Sequence, residues 1–288
     1  MLRSCPVCAT EKYTLIFHDH NRREWYCELE WDFVECSFCN MRYLTNVPYF
    51  EEMGWKYEDI YVLPDIEVLR KKLKKPKIKN KRKILDIGCN HGIQLISYYN
   101  TGWDIYGIDL NEKALFDVRQ YFPKENFILA TVENSPFENE TFDKIQTFHV
   151  LEHIYNPREF LLKCYDLLKR DAEIEIRVPN GWSFEMKILW KYASQSWIPF
   201  HINLFRSKDI QKILNELGYK DIKIRTNPIP WWWILSLRQW NGTINTSRGV
   251  TNFHQNTFHK MLMILLYPLL FFISLFWYGE ELHVFAKK

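Results

Sequence analysis

In the middle of the chain, short apolar runs alternate with polar stretches in the order expected of strands feeding helices. Ile84, Leu85 and Ile87 supply the apolar run of a central strand, and Gly88 and Gly92 bracket a tight turn before a helix over Ile93 to Tyr99. A second strand is predicted at Ile105 to Leu110, with an acid, Asp109, near its end. Near the amino end, Thr14 to His18 and Trp31 to Glu35 read as short strands of a hairpin arrangement too small to bury its own core. Two long apolar runs stand near the other end. Ile229 to Leu237 is rich in tryptophan, and Met261 to Tyr278 runs for 18 residues without a charge, interrupted by Pro268.

The strand, turn and helix at Ile84 to Tyr99 make a place where backbone can approach a nucleoside cofactor closely. A dinucleotide site would carry a third glycine for the diphosphate, whereas here the middle position is Asn90. Asp109 falls where a carboxylate can take both hydroxyls of a ribose. These features together resemble the class I S-adenosylmethionine-dependent methyltransferases. The resemblance extends through Asn126 to Ala130 as a third strand and Ser135 to Asp143 as the loop into the fourth. Phe148-His-Val-Leu-Glu-His-Ile-Tyr-Asn-Pro157 is similar to the motif after strand four in the family's small-molecule branch, and Leu167 to Asn180 to its helix, turn and fifth strand. The match covers residues 80 to 226 and the last few residues of the chain. It implies an α/β fold: a doubly wound, seven-stranded methyltransferase sheet whose last strand, within Gly279 to Lys288, is antiparallel and pairs with a strand at Asp221 to Thr226.

Cysteine spacing adds a second element. Cys5-Pro-Val-Cys8 and Cys36-Ser-Phe-Cys39 are two Cys-x-x-Cys knuckles separated by 27 residues, which suits a four-thiolate zinc ribbon. Two disulfides are the alternative, disfavoured where thiols stay reduced. Zinc would supply the folding energy that the small core lacks. Cys27 reads as a spare thiol and Cys164 as a small hydrophobe on a helix face. The phrase Cys36-Ser-Phe-Cys-Asn-Met-Arg-Tyr43, then Pro48-Tyr49, Tyr57 and Tyr61, resembles the amino-terminal ribbon of bacterial methyltransferases of sugar, surface-glycan and secondary-metabolite pathways. Asn40 stands where that family usually has glycine, a substitution compatible with a left-handed turn. The expected organisation is a ribbon over 1–48, a spacer and basic linker over 49–83, and the methyltransferase domain over 84–288 with an apolar helical insertion at 229–278.

Net charge is only +3, yet Arg70 to Lys83 holds ten basic residues and no acid. A solvated linker is one reading; attraction to phosphate on a nucleic acid or an anionic membrane is the other. Zinc-ribbon methyltransferases of ribosomal RNA are rival relatives, but the ribbon lacks their basic, aromatic-interleaved surface. Met1 to Thr10 contains cysteines and an arginine where a signal peptide would have an apolar core, so a cytoplasmic protein is expected. Met261 to Tyr278 reads as a core helix, as an element resting peripherally on the inner face of the membrane, or as a span that would strand the closing β-strand on the wrong side. Tryptophans 231, 232, 233, 240 and 277 suit a headgroup interface or an aromatic acceptor pocket.

The resemblance also implies roles for side chains. Asp86 orients the methionine amino group, and Gly88, Cys89, Asn90 and Gly92 let backbone pass close to the cofactor. Asp109 and Leu110 meet the ribose, and Thr131, Val132 and Glu133 the adenine, with Thr131 where an acid is often seen. His149, Glu152 and His153 follow strand four, where acceptor meets methyl, at a spacing that puts them on one helical face. His201 matches a second acceptor-side histidine. A sulfonium methyl is already electrophilic, so alignment dominates and a base helps only if the acceptor is a hydroxyl or an acidic carbon. Histidine suits that task near neutral pH. The expectation is an enzyme that methylates a small-molecule or lipid-linked acceptor, a sugar or glycan intermediate, on oxygen. An RNA methyltransferase and a non-catalytic cofactor-fold module are the alternatives.

Overall fold

The computed structural model describes residues 3–20, 30–47, 66–74, 76, 80–197, 200–240 and 257–288. Strands β1 (Tyr13–His20), β2 (Glu30–Cys36) and β3 (Arg42–Leu44) form an antiparallel meander that bears the cysteine knuckles. The following strands β4 (Lys83–Ile87), β5 (Asp104–Asp109), β6 (Phe127–Leu129), β7 (Phe142–Phe148) and β8 (Leu168–Pro179) are parallel neighbours in a second sheet. β9 (Asn203–Leu204) leaves that region and pairs with β3, giving the small sheet the order β1-β2-β3-β9. β10 (Lys220–Asn227) and β11 (Glu281–Lys287) complete the large sheet in the order β10-β11-β8-β7-β4-β5-β6, with β11 antiparallel to both neighbours. The expected seven-stranded sheet with an antiparallel last strand is therefore present.

β4 is buried almost throughout because the sheet has apolar partners on both faces. Ile84 packs with Leu95, Ile105, Leu115 and Phe127 on one side. Leu85 and Ile87 join Ile145, Ile174, Ile176, Phe160 and Leu161 on the other. Each such fully buried side chain contributes about 1.5–3 kcal/mol. Helices α1 (Ile66–Lys72), α2 (Ile96–Asn100), α3 (Glu112–Val118) and α4 (Pro157–Leu167) flank the sheet. Local signals set their starts: Asn111 accepts from the Ala114 amide, and Asn156 caps α4 with Pro157 in its first turn.

Three local expectations are modified. Ile93–Leu95 is a 3-10 turn, and the helix proper begins at Ile96. The stretch after β7 contains only the 3-10 turn Leu151–His153, so residues 149, 152 and 153 do not share a helical face. The turn expected after Leu167 is absorbed into β8, where Asp171 takes a φ of 61° and the pairing with β7 shifts register.

After α5 (Phe184–Leu189) and α6 (Ser207–Glu216), the apolar insertion forms α7 (Pro230–Trp240) and α8 (Thr257–Ser274). Asn227 before it and Glu281 after it are paired in the sheet, so the insertion leaves and returns at one edge, and a single crossing is excluded. Among the described residues no helix is long and apolar enough to cross a membrane. A core helix is excluded too: Ile264 and Leu265 are 72% exposed. Cys27, the tyrosines at 49, 57 and 61, and much of the basic linker lie outside the described residues; Arg70, Lys71 and Lys72 are exposed at the end of α1.

Candidate active site

Beyond β4 the chain turns through Gly88, Asn90 and Gly92 at φ of 75°, 45° and 68°. A β-carbon on Gly88 would lie 2.4 Å from Val150 Cγ2, and one on Gly92 2.8 Å from Val118 Cγ2. Glycine is thus required twice, and asparagine fills the remaining left-handed position. The amides of Gly88 and Cys89 donate to the Ile108 carbonyl at 2.9 and 3.1 Å. Asp109 receives the Asn90 amide on Oδ2 at 2.7 Å and the Asn111 amide on Oδ1 at 2.9 Å, with lone pairs left for further donors. The glycine turn is therefore laced to the tip of β5, and burial raises the Asp109 carboxyl despite those amides.

Asp86 lies beside Gln146 across the β4–β7 ladder. It is buried, and burial pushes its carboxyl up to about 8. Cys89 packs over Gly107, where a β-carbon would meet its sulfur at 2.6 Å. Thr131, Val132 and Glu133 follow β6; Val132 is buried, Thr131 half-buried and Glu133 exposed, as is Leu110 beyond β5. All these groups stand at carboxyl ends of parallel strands, where doubly wound sheets bind ligands. Asn90 Oδ1 and Thr147 Oγ1 are buried without a hydrogen-bond partner among the described residues. Such orphaned atoms fit a site that a polar ligand completes. The residues present thus fit S-adenosylmethionine.

The loop after β7 carries the second half of the site. His149 takes a left-handed φ of 57°, and its amide donates to the Arg177 carbonyl at 2.8 Å. Its Nδ1 lies 3.4 Å from Glu152 Oε1 and its Nε2 3.2 Å from Glu281 Oε1. Burial alone would lower the imidazole, but its ion pairs with the Glu152 and Glu281 carboxylates outweigh it and lift His149 to about 10. The same contacts hold both carboxyls below their ordinary values against the effect of burial. Trp232 of α7 stands edge-on to the His149 ring at 5.9 Å.

Glu152 is fully buried, and neither carboxylate oxygen has a hydrogen-bond partner among the described residues. His153 and His201 approach the same oxygen with Nε2 at 4.0 and 3.9 Å. Nδ1 of His153 lies 2.7 Å from the Phe200 carbonyl, and that of His201 2.7 Å from the Gln195 carbonyl. Those carbonyls hold the proton on Nδ1 and leave each Nε2 as an acceptor. Burial lowers both imidazoles, His201 to about 3. The ligating atoms of Glu152, His153 and His201 lie within 4.8 Å of one another, a donor set that a divalent cation could use. Sequence reasoning missed Glu281 and Gln146 as parts of this site, while Trp232 is one of the tryptophans it offered for an aromatic acceptor pocket.

The four ribbon sulfurs also lie within 4.8 Å of one another, with Cys5–Cys39 and Cys8–Cys36 each at 3.5 Å. All four are free thiols. The contact with Cys5 pulls the Cys39 thiol down to about 5, while the same contact and burial raise Cys5. Four sulfurs at that spacing, one already favoured as thiolate, fit a tetrahedral zinc ion.

Five parallel strands, an antiparallel β11 and a glycine turn latched to an acid on the neighbouring strand define a class I S-adenosylmethionine-dependent methyltransferase fold. A family model described as a methyltransferase domain matches residues 61–224, and the chain belongs to that family. A probable S-adenosylmethionine-dependent methyltransferase of Mycobacterium tuberculosis is 22% identical over 142 residues, 49% of this chain and 50% of that protein. A ubiquinone biosynthesis O-methyltransferase of Glaesserella parasuis is 34% identical over 108 residues, 34% of this chain and 46% of that one. The chain thus spans about half the length of these curated relatives. The crystal structure of a SAM-dependent methyltransferase from Archaeoglobus fulgidus shares the fold at a TM-score of 0.50 and 20% identity, over 84% of this chain and 100% of that one.

Proposed function

We propose that the protein transfers a methyl group from S-adenosylmethionine to an oxygen of a small-molecule acceptor. The observation that carries this reading is the contact between the two halves of the site: Val150, next to His149, fills the space at Gly88 in the cofactor turn. Asp86, Gly88, Cys89, Asn90, Gly92, Asp109, Leu110, Thr131, Val132 and Glu133 hold the donor. His149, Glu152, His153 and His201 face the acceptor. Bound S-adenosylmethionine supplies an electrophilic methyl carbon. The His149 side chain is 42% exposed while its two carboxylate partners are buried, so His149 is the group that meets an incoming hydroxyl. Carboxylates at 3.4 and 3.2 Å hold His149 as imidazolium near neutral pH, so, against the expectation of a histidine base, it positions the acceptor beside the methyl carbon while the hydroxyl proton leaves to solvent as the carbon–oxygen bond forms. The buried Glu152 and His201 and the half-buried His153 stand behind His149, with Glu152 Oε1 3.4 Å from its Nδ1.

Relatives described as ubiquinone biosynthesis O-methyltransferases support an oxygen acceptor of small-molecule type. The exposed apolar face of α8 supports a finer version, a lipid-linked sugar or glycan intermediate met at a membrane surface. The test incubates the purified protein with methyl-labelled S-adenosylmethionine and separate polar-metabolite, lipid and RNA fractions. Label in the polar or lipid fraction, lost in His149→Ala with binding of S-adenosylhomocysteine retained, supports the reading. Label in RNA alone, or label undiminished in His149→Ala, overturns it.

A further inference from the structure

The ribbon is joined to the acceptor side of the site by a chain of buried polar contacts. Arg3, two positions ahead of Cys5, is buried, and its guanidinium donates to the Tyr155 carbonyl at 2.5 Å and to Asn203 Oδ1 at 2.8 Å. Asn203, also buried, gives its amide hydrogens to the carbonyls of Leu151 at 3.3 Å and Ile154 at 2.8 Å. Its orientation is thereby fixed: a flipped amide would set NH2 against the guanidinium and oxygen against two carbonyls. The backbone continues the link. Tyr43 pairs with Asn203, the Leu44 amide donates to the Ile202 carbonyl at 3.0 Å, and the Ile202 amide donates to the Glu152 carbonyl at 3.0 Å. At the second knuckle, the Arg206 guanidinium donates to the Cys39 carbonyl at 2.5 Å while Asp209 holds it at 2.7 and 2.8 Å.

The second knuckle is thus held directly by a guanidinium and the first through the backbone that carries Arg3, and both routes lead to the segment that carries His201. The cofactor turn is set differently, by bonds from Gly88, Cys89 and Asn90 to β5. We propose that the ribbon is the positioning module for the acceptor side: Arg3, Asn203 and Arg206 convert the metal-loaded state of the four-cysteine cluster into the placement of Glu152, His153 and His201. This rests on the reading of those three residues as the acceptor side, and it names what orders them. Loss of the ribbon metal then disorders the acceptor side while the cofactor side keeps its shape. Asn203 is a positioning residue, since it acts through the loop at 149–155 and not on the reacting atoms.

Hydrogen exchange on the full-length protein tests this, with the zinc-loaded form compared with the chelator-stripped form. Metal removal should speed exchange in peptides covering 149–156 and 200–206 by about tenfold or more, with peptides covering 84–92 and 104–111 unchanged. Affinity for S-adenosylhomocysteine should stay within about twofold of its loaded value. Retained protection at 149–156 and 200–206 while 5–39 opens overturns the proposal. Asn203→Asp keeps the acceptor for Arg3 but removes both donated bonds. It should retain its zinc yet shift the imidazole nitrogen spectra of His153 and His201 away from the Nδ1-protonated form. Unchanged spectra in a folded Asn203→Asp overturn the proposal; should that variant fail to fold, Arg3→Met is read by the same exchange peptides and zinc content. Failure of the wild type to bind S-adenosylhomocysteine would count against the methyltransferase reading instead and leave the exchange comparison readable.

Discussion

Gly88→Ala perturbs a point where the cofactor turn and the acceptor loop touch. Gly88 has a φ of 75°, where an alanine pays a left-handed strain of about 1–2 kcal/mol. Its new methyl would lie 2.4 Å from Val150 Cγ2, against an ordinary carbon contact of about 3.5–4.0 Å. Relieving that overlap by moving a neighbour costs about 1–3 kcal/mol more. The sum, about 2–5 kcal/mol, is a large share of the 5–15 kcal/mol typical of a folded protein. The atom that must give belongs to Val150, next to His149, so the variant should lose methyl transfer as well as stability. Urea denaturation and calorimetric titration with S-adenosylhomocysteine read the two effects. Adding Val150→Ala should recover part of the overlap cost and none of the backbone strain. A Gly88→Ala protein within about 0.5 kcal/mol of wild type, binding the ligand normally, would refute the reasoning.

Burial holds the free protein's Asp86 near 8, so at pH 7 it is mostly protonated, and binding an ammonium-bearing ligand should release up to about one proton, measured by calorimetry in buffers of different ionisation enthalpy. Because the folded-state value lies above the unfolded one, Asp86 takes stability away as pH rises from about 4 towards 8; Asp86→Asn should flatten that slope, abolish the proton release and raise the apparent melting temperature at pH 8, and an unchanged slope would count against it. Metal analysis should find one zinc per chain, lost in Cys36→Ser; less than about a tenth of an equivalent in wild type would contradict the ribbon site. If α8 meets lipid, the full-length protein should float with vesicles of mixed neutral and anionic lipid, and Ile264→Lys with Leu265→Lys should abolish flotation; wild type that remains unbound at low salt refutes the membrane reading.

The cofactor half was legible in the sequence because its determinants are local. Two glycines and an asparagine within five residues specify the left-handed turn, and Asp109 ends the very next strand. The acceptor half was legible by residue type and not by geometry. His149, Glu152 and His153 converge through a left-handed residue and one 3-10 turn, a route that helical spacing does not encode. Glu281 reaches His149 only because β11 inserts beside β8, a pairing between distant parts of the chain. The ribbon's reliance on β9 was hidden for the same reason: two residues are too short to show a strand pattern, and their partners Arg42 and Tyr43 are remote in sequence. The apolar insertion was visible as a run of hydrophobic residues, but exposure is a property of the assembled surface.

Calorimetric titration of S-adenosylhomocysteine into the wild-type protein and Asp109→Ala tests the central claim most directly. Asp109 both latches the Asn90 amide and offers lone pairs to a ribose, so its removal weakens the site in two ways that act in one direction. The account predicts one ligand per chain for wild type with micromolar affinity, and a loss in the variant of about 1.5–3 kcal/mol, or about tenfold to a hundredfold. Absence of binding by the folded wild type, or equal binding by Asp109→Ala, would contradict it.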